Sequence, residues 1–414
     1  MATRYWLGKA LGVAQVDTVE VTAYHADTTY TLTVNGVAVV TQVGDTNVTV
    51  TAAAMATKWN ASLHPYCIGI TASNASGVIT LTADQLGEPN TVTSSKSGTG
   101  TIGSVTSVTA ATGPRWWNNA ANWSGDTVPV STDIVIIDNS TIDILFGIDQ
   151  SGMSGQFANV TVGRGYRGVI GLNAHAFFVN GSDNASATEY RETYLKIKCN
   201  GFIEIGKDTG TGTEQMSRRI KIHSGATEVD FIVYNTEPID NSVDVPKPCV
   251  QLNMTHATST LEVRGGEVGV AVAIEGETAT LGTITNTGGR IITGSGLTLT
   301  TYVQTGASSE GSQLHLAATL TTLTNNGGDT TTSGSYAITT VNTSAGQVIS
   351  NSTGTITTAN STGGHLDFSK SRAARTVTTA KVDAPGSISF DPAYLTLTNK
   401  VTSNDPVRYT ATAA

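Results

Sequence analysis

The chain has 414 residues, of which 13% are charged and 6% aromatic, with 44 glycines and a formal net charge of -9. That balance excludes a nucleic-acid groove, which needs a concentrated Lys/Arg surface, and the Gly, Thr, Ser, Asn and Val content favours turn-rich β-structure over helix. Three cysteines, Cys67, Cys199 and Cys249, are odd in number and lack CxxC spacing, which excludes a disulfide scaffold and points to free thiols in a protein folding in a reducing cytosol.

The start, Met1-Ala-Thr-Arg-Tyr-Trp-Leu-Gly-Lys9, holds no apolar stretch of signal-peptide length. No later run reaches the ~18 apolar residues of a membrane helix, so neither secretory export nor a membrane partner is expected. Residues 1–112 are predicted to form a small β-sandwich-like domain with one short helix. Tyr30, Leu32 and Val34 alternate with Thr, and Asn35-Gly36 then supplies a two-residue hairpin turn before Val37. Residues 51–63, with Ala53, Met55, Ala56, Trp59 and Leu63, read as an amphipathic helix stopped by Pro65, and strands follow at Ile68 and Val78. Residues 94–113 are nearly all Ser, Thr, Gly, Ala and Val and read as a linker or weak edge strand.

Residues 113–390 are predicted to form a parallel β-helix (β-solenoid), making the chain all-β, with 391–414 as a closing cap or tail. The solenoid opens on Arg115-Trp116-Trp117-Asn-Asn-Ala-Ala-Asn122-Trp123. Trp116, Trp117 and Trp123 are read as a cap over the first coil, whose end would otherwise expose bare backbone groups. They are also the candidate attachment residues, since tryptophan is the type most enriched at binding hot spots; a sugar-stacking surface is the competing reading. From Val160 to Val250 the coils are irregular, with insertions at 183–192, 207–219 and 237–248 that should emerge as loops on one face. From Leu281 to Gly386 one phrase recurs: an aliphatic residue, two small ones, an aliphatic or small one, three polar residues, then Gly or Ala. The copies begin at Leu281, Leu299, Leu320, Ile338, Ile356 and Val377. Such a period fits one solenoid coil, with each rung buried only by its neighbours. The recurrent Asn286, Asn325, Asn342 and Asn360 read as hydrogen-bonded ladders at coil corners.

Chemistry is sparse. A polysaccharide-cleaving solenoid needs two carboxylates on one exposed face. Between Ile284 and His365 only Glu310 and Asp329 are acidic. Glu228 and Asp230, two apart on a strand, would share a face, and Glu189, Glu192, Glu204, Asp208 and Glu214 lie near in sequence. Adjacent acids on a strand usually form its solvated face, so no catalytic residue is assigned. The seven histidines show no ligand spacing, so no metal is expected. The run Gly163-Arg-Gly-Tyr-Arg-Gly168 lacks the rest of a dinucleotide fingerprint and reads as a turn, so no cofactor is expected.

Together, the opening Met-Ala-Thr-Arg-Tyr-Trp, the hairpin over 27–36, the segment over 117–133 and the Thr/Gly ladder ending His365-Leu-Asp-Phe-Ser resemble structural proteins of tailed bacteriophages. The resemblance implies a virion component folded in the host cytoplasm. The expected role is non-enzymatic: a capsid decoration or cement protein, assembled as a homotrimer on the major capsid protein or other virion proteins. A tailspike or tail fibre that binds host surface glycans, with or without cleaving them, is the alternative.

Overall fold

The computed structural model describes residues 1–171, 193–210, 219–236, 247–274, 276–306, 311–402 and 409–411, and the backbone of 178–179, 182–183 and 239–240. The chain is all-β, with a parallel β-solenoid of about 11 turns and small antiparallel sheets with helix at its N-terminal side.

The solenoid is built from residues that alternate in and out. One interior column runs Val135, Val160, Ile203, Phe231, Leu261, Ile284, Tyr302, Leu323, Val341, Ala359, Ala380, each in register with the next. All eleven are buried. At ~4.8 Å between stacked strands the column spans roughly 50 Å. A second column carries the repeated phrase. Leu281 pairs with Leu299, Leu320 with Ile338, Ile338 with Ile356 and Ile356 with Val377. It continues to Leu397, so residues 395–402, placed by sequence in a closing tail, add a further coil. In the phrases from Leu299 onward the first and fourth residues are buried and the two between are turned outward, as in Leu320, Thr321, Thr322, Leu323. That double outward step bends the strand and sets the corner of the coil.

The sixth phrase position explains the polar half of the repeat. Asn286, Gln304, Asn325, Thr343 and Ser361 stack there in register and are buried. Each binds backbone at its turn: Asn286 Nδ2 donates to Gly289 O (2.6 Å) while its Oδ1 accepts from Gly289 N (2.8 Å), and Ser361 Oγ donates to Gly364 O (2.7 Å). The side chain thus supplies partners that the tight turn denies its own backbone. The four asparagines divide between two columns. Asn286 and Asn325 lie in this buried corner, whereas Asn342 and Asn360 occupy the preceding outward position, where Asn360 Nδ2 donates to Asn342 Oδ1 (2.8 Å).

The N-terminal unit has its own core, joining Val19, Tyr30, Leu32, Met55, Trp59, Ile79 and Leu81 among others. Two antiparallel sheets supply it, one of Thr29–Val34, Val37–Val43 and Val92–Ser97, the other centred on Val16–Ala23. Asn35 and Gly36 both take positive φ (48° and 83°), the conformation a type I′ hairpin demands. The helix runs Val48–Ala61, three residues earlier than periodicity placed it, because Asn47 Oδ1 accepts from Val50 N (3.0 Å) and caps it there. Pro65 opens a second short helix, Pro65–Ile68, so the strand expected from Ile68 begins at Ile70. The weak segment over 94–113 contributes the strands Val92–Ser97, Thr101–Ile102 and Thr106–Thr109.

Candidate functional site

The start of the chain belongs to the solenoid. Thr3–Tyr5 pairs in parallel with Ile134–Ile136, forming the first rung. The chain then leaves, builds the small domain, and returns beside its own exit, where Val13 bridges Thr112. The boundary expected at residue 112 is therefore the exit of an inserted unit whose entry lies near residue 13. Backbone meets backbone at this neck: a Cβ on Gly113 would stand 3.2 Å from Gly12 Cα and 3.3 Å from Gly87 Cα. A side chain at Gly113 would push these backbones apart by a few tenths of an ångström.

Asn122 clamps the neck. Fully buried, it donates to Gly113 O and Trp116 O (both 2.8 Å) and accepts from Ala10 N (2.8 Å). Trp116 Nε1 donates to Gly87 O (2.7 Å), and Arg115 pairs with Glu88 (2.7 Å). The small domain is thereby tied to the solenoid by main chain, side chain and charge together.

Trp117 and Trp123 lie fully buried in the solenoid core with Trp6. Trp123 packs edge-on against Trp6 (5.1 Å) and Trp117 (4.7 Å), and Trp117 reaches Phe157 (6.2 Å). These three rings fill the first coil and offer no surface to a partner. Trp116 is half-buried against Phe146 at 5.3 Å. The missed member is Trp6, distant in sequence; its signal was the aromatic pair Tyr5-Trp6 at the very start, one facing out and one in.

Beside this end lies a cavity of about 420 Å³, lined by Tyr5, Trp6, Leu7, Ile136, Asp138, Asn139, Ser140 and Thr209. Asp138 follows the strand Ile134–Ile137, accepts from Asn139 N (2.9 Å) and accepts from the Thr209 hydroxyl. The Gly163–Gly168 run forms a turn here: a side chain at Gly163 or Gly165 would collide with Asp138, and Tyr166 is buried with its hydroxyl donating to Ile142 O (2.9 Å).

Glu228 and Asp230 border one polar depression of about 370 Å³ with Gln156, Asn200 and Thr227. Asp230 accepts from Thr260 Oγ1 (2.5 Å). Glu204 stands apart from them, held by Lys207 Nζ (2.8 Å) and the Tyr234 hydroxyl (2.9 Å). Asp208 pairs with Arg164 (3.4 Å). Asp329 is exposed in the ladder. Glu189, Glu192, Glu214 and Glu310, and most of the three expected insertions, lie outside the described residues.

Along the regular half, the outward column Thr260, Thr283, Thr301, Thr322, Thr340, Thr358, Thr379 presents one threonine per coil. Cys67, Cys199 and Cys249 are buried and joined in no disulfide; burial pushes the Cys199 thiol up to about 11. Among the described residues no group of three His, Cys, Asp or Glu could hold a metal, and no helix is long and apolar enough to cross a membrane. No protein-family model matches the chain, and comparisons with curated proteins and with solved structures give no match.

Proposed function

We propose that the chain is a non-enzymatic virion structural protein, a decoration or cement protein of a phage capsid that acts as a homotrimer. One observation carries the reading: an in-register ladder is joined, through the hydrogen-bonded neck around Asn122, to one chemically distinct end. A uniform ladder offers no unique register for docking, so specific attachment belongs to its distinct end, while the repeated threonine columns suit lateral contacts between copies. Particle copy number tests it: hundreds of copies per virion are expected for a head protein, and a handful would move the chain to the tail.

The tailspike reading rests on a different feature, the two carboxylates bordering one depression. It predicts new reducing ends when the protein is incubated with capsular or O-antigen polysaccharide, abolished by Glu228→Gln or Asp230→Asn. The decoration reading predicts none.

A further inference from the structure

We propose that the cavity beside the first rung binds a neutral hydroxylated ring, a hexose or N-acetylhexosamine unit. Its volume of about 420 Å³ falls within the ~300–1,000 Å³ of small-ligand sites. Tyr5 and Leu7 form an apolar side, 49% and 42% exposed. An open aromatic face is the negative pole of a quadrupole and attracts the polarised C–H groups on one face of a sugar ring.

The rest of the lining, Asp138, Asn139, Ser140 and Thr209, is mostly polar. Asp138 is fixed by Asn139 N and the Thr209 hydroxyl, and Asn139, held in the left-handed region (φ 50°), also lines the cavity. Among the described residues, the Tyr5 hydroxyl and the Asn139 amide have no hydrogen-bond partner, so both are available to ring hydroxyls. Charge selects the ligand class. Among the described lining residues there is no Lys, Arg or His, and Asp138 is the one charged group, so the lining offers an anion no counter-charge and suits a neutral ligand. The proposal is independent of where on a particle the chain acts, because it concerns the isolated protein.

The test is saturation-transfer NMR on the full-length protein with glucose, galactose, N-acetylglucosamine and glucuronate as probes. Saturable transfer to at least one neutral sugar is expected, with a dissociation constant on the order of millimolar. Tyr5→Ala and Asn139→Gly, the second chosen because glycine keeps the positive φ while removing the amide, should each weaken it by about tenfold or more. Asp329→Asn, on the exposed face of the ladder, should leave it unchanged. Absence of saturable transfer from every probe overturns the proposal. So does binding indifferent to both cavity variants, or glucuronate binding tighter than glucose.

Discussion

Asp133 holds the beginning of the chain. Its carboxylate accepts from Ala2 N (2.9 Å), Val130 N (3.2 Å) and Arg4 Nε (3.3 Å), and its side chain is 5% exposed. Burial alone would raise its pKa, but the bonds from Ala2, Val130 and Arg4 outweigh it and hold the carboxyl below the ordinary 3.8. A folded value below the unfolded one contributes stability that is complete above 3.8 and is lost as pH falls through the depressed value. Asp133→Ala should therefore cost ~2–3 kcal/mol near neutral pH, and Asp133→Asn should flatten the acid limb of the stability curve. Urea titrations followed by tryptophan fluorescence, at pH values above and below the carboxylate range, check both. Arg375 does comparable work at the far end. Its guanidinium, pulled by burial down to about 10, donates to Ser350 O and Phe368 O (both 2.8 Å) and to Ser352 O. Three carbonyls from two successive coils converge on one planar fork, a geometry an ammonium cannot copy. Arg375→Lys should be destabilised, and Arg375→Ala should lose ~3–5 kcal/mol, read as a shift in urea midpoint.

At the scale of single elements, the interior columns make the sharpest demand. Leu320 is fully buried and in register with Ile338, so Leu320→Asp should cost at least ~3 kcal/mol by burying an unpaired charge, measured by the same titration. That column was legible in the sequence because residues 281–386 space their coils almost evenly. The same architecture was hidden upstream, where Thr161 and Glu204 sit on adjacent rungs although 43 residues apart. The described rungs keep their register across these longer spacings, so the stack survives while its period does not. The first rung was less legible still. A three-residue strand contributes no periodicity, and its partner lies more than a hundred residues away, so only three-dimensional pairing reveals it. The cavity beside it shares that fate, since Tyr5, Asp138 and Thr209 come from three distant segments. The asparagines mark another limit: a shared residue type suggested one ladder, but the inward or outward setting of each position decided which column it joined.

For the whole molecule, the insertion topology changes how attachment should be tested. Removing residues 1–112 would delete the small domain and also the rung Thr3–Tyr5, together with Trp6, which covers Trp123. Loss of particle binding by such a fragment would then report a damaged first coil as readily as a missing anchor. Because Val13 bridges Thr112 at the neck, the chain can instead be closed there by a short glycine turn in place of residues 16–109. This keeps the first rung, the three packed tryptophans and the Arg4–Asp133 pair. If the small domain is the anchor, the shortened protein should keep its cooperative unfolding and its trimeric mass yet fail to rebind particles stripped of the native chain. Rebinding equal to that of the full chain would place the anchor on the solenoid, and a monomeric mass for the full chain, free and on particles, would remove the trimer. Wild-type unfolding also bears on the design, because the small domain has a separate core. Two resolved transitions in the full chain, reduced to one in the shortened form, would show the solenoid standing without its insertion, as nearest-neighbour stacking requires.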